Sequence, residues 1–434
     1  MSFTLIGIIG VLALFVLIFL RMPVGFAMLL TGVVGFAVIV SPSAALAMMV
    51  NDLVDVFGSY SLTVIPLFIL MGQVAFHAGI STRLFSVAHK WIGHLPGGMA
   101  IAAIGACAGF SAICGSTNAT AATMAAVTLP EMKKYKYSDA LATGVIAAGG
   151  SLGILIPPSV IFIVYGIITE QSIGDLFMAG IIPGVVLTLL FSIVVVVWSI
   201  LRPMDAPRGE KHDFKTKIKS LTGVLETILL FILVMGGLFG GLFTPTEAAG
   251  VGSFGTIILA VLRRNINFKG LLDAFTETTR ISCMILMIVA GATVLGHFLA
   301  ITQIPFQIAG WVGGLDFPSW AVISIIILIY VIGGCFIDAL ALIMLTVPIF
   351  YPVVIGLGYN PVWFGVVIVL VTQIGVITPP VGINVYVVRS VATNVRIETI
   401  FRGVVPLLFA IIAATALLLI FPSLALFLPE FMAK

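Results

Sequence analysis

The sequence SAICGSTNAT, residues 111–120, is a polar interruption of an apolar segment. It places Gly, Ser, Thr and Asn side by side in an apolar stretch that has no Asp, Glu, Lys or Arg from Trp91 to Pro130. Irregular polar backbone is tolerated at membrane depth only where it is buried in protein or lines a wet cavity. We therefore predict that these residues form the tip of a helical hairpin inside a membrane protein.

The composition of the 434-residue chain is that of an all-α, polytopic membrane protein. Apolar residues make up 61% and charged residues 9% of the chain, and the mean hydropathy is +1.27, whereas soluble domains carry about 25% charged residues. The charged residues cluster between apolar segments of roughly bilayer length. The net charge of +3 is dispersed among these loops, which excludes a role in nucleic-acid binding.

The basic residues predict the topology, because Lys and Arg accumulate on the cytoplasmic side. Residues 97–130 have basic segments on both sides, so this stretch must enter and leave the membrane on one face. Its arm from Ala119 to Pro130 is about 18 Å long at 1.5 Å per residue, too short for a hydrocarbon core of about 30 Å. We predict a re-entrant hairpin here, a second one from the opposite face at 319–350, and periplasmic chain termini.

The two halves of the chain match each other in order. VTLP (127–130) matches LTVP (345–348), and one spacing pairs Tyr137 with Tyr359 and Pro157-Pro158 with Pro379-Pro380. The match predicts a duplication in which each copy has five full spans and one hairpin, about ten spans in all. An odd number of crossings inverts the second copy, and inverted repeats with interrupted helices are typical of secondary transporters.

The duplication divides the chain into a first repeat at 1–201, a cytoplasmic linker at 202–220 and a second repeat at 221–434. Each repeat contains one helix with a double proline, GGSLGILIPPS (149–159) within 139–168 and QIGVITPPVG (373–382) within 362–388. Proline removes a backbone donor and clashes with the preceding turn, so both helices are predicted to break. The freed carbonyls suit a small cation, and exposed helix N-termini attract carboxylates.

The polar residues of the first hairpin tip predict the chemistry of the site. Ser116, Thr117, Asn118 and Thr120 offer neutral oxygen ligands, which fit a reversible sodium site better than a tight calcium cage. The alternative is that small polar residues only pack helices together in the membrane.

Asp338 is the only Asp, Glu, Lys, Arg or His between Asp316 and Arg389. An acidic group in such a segment is costly and usually functional, so we predict that Asp338 belongs to the site. The alternative is a capping role at the second hairpin. Glu247, in TPTEAAG, is predicted to be a structural first-turn acid. No Walker A or HExxH motif occurs, which argues against ATP coupling and metal-dependent hydrolysis.

Several ordered motifs together resemble a known family. They are GFSAICGSTNATAATMAAVTLPEMKKYKYSDALATGVIAAGGSLGILIPPSVIFIVYG, FTPTEAAGVG, GGCFIDALALIMLTVPIFYPV and VITPPVGINVYVV. The chain resembles the large membrane subunit of tripartite ATP-independent periplasmic (TRAP) transporters over essentially its full length.

The resemblance implies the ion-transporter fold, with two inverted repeats, two re-entrant hairpins and two discontinuous helices, working by elevator-type alternating access in the bacterial inner membrane. It implies Na⁺ as the coupling ion, a small organic acid such as sialic acid, a C4-dicarboxylate or a sugar acid as cargo, a periplasmic substrate-binding protein, and a separate small four-helix membrane subunit. One implied ion site comprises Gly115, Ser116, Asn118, Gly150 and Gly153, and the other Gly334, Asp338, Gly375 and Thr378. The implied cargo site lies near Ser116, Thr117, Pro157, Asp338 and Pro379.

Two alternatives stay open from the sequence. The first is a self-sufficient sodium-coupled dicarboxylate or anion carrier of the same superfamily, which would need neither partner protein. The second is an intramembrane enzyme or channel, which would require a catalytic dyad or a continuous polar pore lining; the sequence shows neither. We therefore expect a transporter and no enzyme.

Overall fold

The computed structural model describes residues 2–313 and 318–432, which form an all-helical fold. The helices of the first half are α1 Phe3–Phe19, α2 Val24–Ile39, α3 Pro42–Gly58, α4 Val64–His77, α5 Ile80–Ile92, α6 Gly98–Cys114, α7 Thr117–Lys134, α8 Asp139–Ser151, α9 Val160–Thr169 and α10 Ile173–Leu201. Those of the second half are α11 Phe214–Leu221, α12 Leu225–Phe239, α13 Pro245–Leu262, α14 Phe268–Thr302, α15 Ile304–Gly313, α16 Ser319–Gly334, α17 Ala339–Gly356, α18 Pro361–Ile377, α19 Ile383–Val391, α20 Ile397–Ile420 and α21 Ser423–Met432.

The helices are apolar enough for a multi-pass membrane protein. Within the described residues, five helices have the length and hydropathy of a membrane span, and the bent pair α3–α4 would make six. Several shorter apolar helices, α8, α9, α16 and α18 among them, lie between these. The predicted total of about ten spans and the inverted repeat stay predictions.

The two double-proline segments interrupt their helices. α8 ends at Ser151, a short 3₁₀ turn covers residues 152–154, and α9 begins at Val160. In the second half α18 ends at Ile377 and α19 begins at Ile383. Ser159 restarts the first of these helices, because its hydroxyl donates to the Ile154 carbonyl at 2.6 Å and accepts from the Phe162 N–H at 3.4 Å.

The interrupted helices occupy the centre of the protein. Every residue from Leu141 to Ser151 in α8 and from Trp363 to Ile377 in α18 is buried. A helix that is apolar on all sides can reach this degree of burial only when other helices surround it. The breaks therefore lie inside the protein, where freed backbone groups can serve a site.

The helices that pack most extensively fall into two groups, which touch each other through α4 with α6 and through α14 with α17. In the first, α2 and α4 pack closely on α14, and α13 packs on α4. In the second, α6 to α10 pack with α16 to α21, and α8 contacts α20 most extensively. Glycines allow the closest approaches within each group: a side chain on Gly291 would collide with the Gly25 carbonyl, and one on Gly403 with the Ala140 carbonyl.

Two helices of the first half, α3 and α5, have polar faces and lie between the strongly apolar segments of the sequence. α3 begins with Ser41 as N-cap, accepting a hydrogen bond from the Ala44 N–H at 3.2 Å, and with Pro42 at its first position. α5 is strongly amphipathic and buries Ile80, Ser81 and Phe85. Hydropathy alone overlooks such helices because their polar faces lower the average. The predicted structural role of Glu247 is confirmed: it forms a capping box with Thr244 at the start of α13.

Candidate functional site

The first hairpin turns at Gly115 and Ser116, between α6 and α7. Gly115 has φ +63°, the left-handed conformation, and a methyl group there would lie 2.6 Å from the Pro158 carbonyl oxygen. Both facts require glycine at this position. Ser116 is the N-cap of α7, and its hydroxyl accepts a hydrogen bond from the Ala119 N–H at 3.4 Å.

The second hairpin turns between α16 and α17. Asp338 is the N-cap of α17, and its Oδ2 accepts a hydrogen bond from the Leu340 N–H at 3.1 Å. The capping role that the sequence offered as an alternative is therefore present in the structure.

The two hairpin tips line one cavity of about 80 Å³. From the first tip it includes Gly115, Ser116, Thr117 and Asn118, and from the second Asp338 with Ala339 and Leu340. The N-termini of α7 and α17 thus open into the same space, which favours negative charge there. Asp338 is the one charged side chain among the described residues that line the cavity.

Each tip also packs against the break of its own half. A side chain on Gly153 would collide with the Ser116 carbonyl, and one on Gly375 with the Gly334 backbone. A methyl group on Gly150 would lie 2.7 Å from the Ala121 Cβ. The glycines predicted for the two ion sites are therefore the residues that let hairpin and break touch through their backbones.

The second tip has a further backbone bond to its break, from the Val381 N–H to the Cys335 carbonyl at 3.3 Å. The Thr378 hydroxyl donates to the Ile374 carbonyl at 2.5 Å, so its lone pairs stay available as ligands. Pro157 is buried and Pro379 is exposed. Neither proline is among the residues that line the cavity, and their assignment to the cargo stays a prediction.

The sequence did not identify the opposite wall of the cavity. That wall comes from α4, through Ile69 and Gln73, and from α14, through Ile281, Met284 and Ile285. These helices belong to the first packing group, whereas both tips belong to the second, so the cavity lies between the groups. Gln73 is the one signal that could have revealed this wall, as a polar residue in the apolar run FILMGQVAF.

A larger cavity of about 570 Å³ continues from the site. It shares Gln73, Cys114, Ser116, Asn118, Ala119, Ile281 and Met284 with the smaller one. Its outer part is lined by His77, Thr123, Asp273 and Glu277. We call this space the vestibule; it runs along α7 and α14 toward the ends that carry Lys133 and Lys269.

Comparison with known proteins agrees with this architecture. The family described as tripartite ATP-independent periplasmic transporter, DctM component, matches residues 11–424. The chain belongs to this TRAP transporter family. The resemblance deduced from the sequence motifs is confirmed.

Two curated relatives of this TRAP permease are also named large permease proteins, and their names give different substrates. The chain is 33% identical, over 86% of its length and 87% of the relative's, to the C4-dicarboxylate TRAP transporter large permease protein DctM of Pseudomonas aeruginosa. It is 33% identical, over 95% of its length and 96% of the relative's, to the sialic acid TRAP transporter large permease protein SiaM of Vibrio cholerae. Both are named as permeases, consistent with the prediction that the chain is no enzyme.

A solved structure supports the fold of the TRAP permease. The Alcanivorax borkumensis YdaH transporter superposes on it with a TM-score of 0.60, covering 87% of this chain and 88% of that one. The sequence identity is 16%, so the likeness concerns the fold alone. The chain therefore has a multi-pass, all-helical transporter fold.

Proposed function

We propose that this permease imports a small organic acid with Na⁺ as the coupling ion. The observation that carries the proposal is the shared cavity, in which the N-caps Ser116 and Asp338 of two helices meet. No Lys, Arg or His is among the described residues that line it. An organic anion at this place therefore needs a cation that arrives with it.

Electrostatics explains why the cation and the cargo would bind together. A carboxylate about 4 Å from ionised Asp338 would be repelled by about 4 kcal/mol at an effective dielectric constant of 20. A Na⁺ ion at each contact between tip and break replaces this repulsion with attraction. The N-termini of α7 and α17 add about half a positive charge each.

The proposed ion sites use the residues of these contacts. The first comprises Gly115, Ser116, Asn118, Gly150 and Gly153, and the second Gly334, Asp338, Gly375 and Thr378. Oxygen ligands from carbonyls, hydroxyls and one carboxylate suit a weakly bound, exchangeable hard cation. The cargo would contact Ser116, Thr117 and Asp338 directly, with Pro157 and Pro379 shaping the helix breaks behind them.

The proposed motion is an elevator-type displacement of the second packing group against the first. The site lies between the groups, and the tightest glycine contacts lie within them. If the basic ends face the cytoplasm, the vestibule opens inward in this conformation. The chain would then lie in the bacterial inner membrane with both termini in the periplasm.

The proposed partners follow from the family's tripartite description and from the relatives. A small four-helix membrane subunit would complete the permease, and a periplasmic binding protein would deliver the cargo. The relatives named above carry C4-dicarboxylate and sialic acid in their names. A small carboxylate is the cargo class that they share.

An uptake experiment tests the proposed function. The permease is reconstituted in liposomes with its small subunit and binding protein, and labelled C4-dicarboxylates, sialic acid and sugar acids are offered. An inward Na⁺ jump is expected to raise uptake of one acid by about tenfold or more over an equal K⁺ jump, because the ion binds one state preferentially.

The same preparation without the binding protein is the control. Loss of uptake supports the three-part system, and full uptake supports the self-sufficient carrier instead. Uptake that is equal in Na⁺ and K⁺ would contradict sodium coupling.

A further inference from the structure

A hydrogen bond between two side chains joins the two interrupted helices at the centre of the protein. The Ser151 Oγ of α8 lies 2.9 Å from the Gln373 Oε1 of α18, and both residues are fully buried. We propose that this bridge couples the two sodium sites, so that Na⁺ at one site raises the affinity of the other. The inference rests on the proposed function and assigns Ser151 and Gln373 as positioning residues for it.

The bridge lies next to both contacts between a hairpin tip and a helix break. Ser151 precedes Gly153 by two residues, and Gln373 precedes Gly375 by two residues. These are the glycines whose missing side chains admit the first and second hairpin tips. A shift of either break when an ion binds therefore displaces its end of the bridge.

Ser151 and Gln373 occupy matching positions in the two halves of the sequence. They are 222 residues apart, the same spacing that relates Pro157 to Pro379 and the N-cap Ser116 to the N-cap Asp338. The bridge thus joins equivalent points of the two halves. A contact at equivalent points is displaced by a shift at either site, and the resulting coupling between the sites is reciprocal by thermodynamic linkage.

The single hydroxyl hydrogen of Ser151 allows two arrangements of the bridge. The Ser151 hydroxyl is also 2.7 Å from the Ala148 carbonyl, yet it has one hydrogen to donate. If that hydrogen goes to Ala148, the Gln373 amide must turn and donate to Ser151 instead. In the arrangement found here the Gln373 Nε2 has no partner among the described residues, so each arrangement leaves one amide atom unused. An element with two discrete arrangements is what transmits a binding event.

A second hydrogen bond keeps the two breaks in register. The Asn384 Nδ2 at the start of α19 donates to the Ala147 carbonyl of α8 at 3.0 Å, and Asn384 is fully buried. It binds the turn of α8 that precedes Ser151. Both sides of the second break are thus tied to the first broken helix, so a movement of one half reaches the other through buried hydrogen bonds.

The test compares three variants of the reconstituted complex. Ser151→Ala and Gln373→Leu each remove the bridge with little change of volume. Thr143→Val is the control. Thr143 is a buried residue of α8, and its hydroxyl donates a hydrogen bond within the same helix, to the Asp139 carbonyl at 2.6 Å. Initial uptake is measured against Na⁺ concentration at constant ionic strength.

The two bridge variants are expected to lower the Hill coefficient for Na⁺ toward 1. They should also raise the half-saturating Na⁺ concentration by roughly 5-fold or more, the lower end of common coupling energies. Thr143→Val should keep the wild-type curve. The double variant Ser151→Gln with Gln373→Ser exchanges the two equivalent residues and should restore cooperativity.

Unchanged Na⁺ curves in both bridge variants would overturn the coupling role, as would a wild-type Hill coefficient of 1. If a single variant fails to fold, the exchanged variant decides: restored cooperativity supports the bridge, and a folded exchanged variant without cooperativity overturns it. A wild-type protein that ignores Na⁺ altogether would instead overturn the proposed function.

Discussion

Asp338→Asn is expected to reduce sodium-driven uptake on the order of 100-fold while the protein stays folded. Asn caps a helix about as well as Asp does, so the start of α17 should be preserved. The charge, however, is the one formal charge among the described residues of the cavity, and removing one partner of a close charge pair costs about 2–5 kcal/mol. Uptake per folded transporter, with folding checked by size exclusion, measures the effect.

A matched variant separates the charge from general effects. Asp175→Asn removes a carboxylate in the first turn of α10, outside the cavity, and should transport normally. Asp338→Ala should lose both the cap and the transport. Wild-type uptake by Asp338→Asn would reduce Asp338 to a helix cap and remove it from the site.

Gly375→Ala should reduce transport at least about tenfold, because the added methyl group has no space. It would collide with the carbonyl carbon of Gly334 and lie 2.5 Å from the Gly334 Cα. Overpacking of this kind costs about 1–3 kcal/mol or more, and here it forces the second hairpin tip away from its break. The Na⁺ concentration for half-maximal uptake and the melting temperature measure the outcome.

Gly105→Ala provides the control for this substitution. Gly105 lies on α6, and no atom is within 4 Å of the position that its methyl group would take. Alanine favours a helix over glycine by about 1 kcal/mol, so this variant should be at least as stable as the wild type and equally active. A Gly375→Ala protein with wild-type Na⁺ affinity would exclude the second tip contact from the ion site.

The sequence predicted the features that depend on local chemistry. The double prolines separate α8 from α9 and α18 from α19, because two consecutive residues without an N–H cannot sustain the helical hydrogen bonds and also clash with the preceding turn. Single prolines, such as Pro130 in α7 and Pro352 in α17, lie inside helices that continue past them. The GST sequence turns the first hairpin because Gly115 adopts a left-handed conformation and Ser116 can cap the next helix. Glu247 caps its helix through Thr244, three residues away.

Features that depend on tertiary contacts were harder to predict. The match of VTLP to LTVP pairs Pro130 with Pro348. In the structure α7 and α17 both have 18 residues, and the residue of α17 at the same distance from the helix start as Pro130 in α7 is Pro352. The match is displaced by four residues, about one helical turn, and such a displacement preserves the apolar face of a helix. Hydrophobic pattern alone cannot detect it.

The cavity wall from α4 and α14 was missed for a similar reason. Ile69, Ile281 and Met284 are apolar residues on apolar helices, and nothing in their local sequence distinguishes a cavity wall from a packed core. Only the arrangement of the two packing groups brings these residues opposite the hairpin tips. The bridge between Ser151 and Gln373 likewise requires the three-dimensional contact to become visible.

The most direct test of a common site measures the reactivity of Ala119→Cys with a membrane-impermeant thiol reagent, in a background without the native cysteines. Ala119 lines both the cavity between the tips and the vestibule, and it is not among the proposed ion or cargo ligands. We predict modification from the vestibule side that is slowed several-fold when Na⁺ replaces K⁺ and further slowed when the transported acid is added. A modification rate indifferent to both would contradict a common site for cation and cargo between the two hairpin tips.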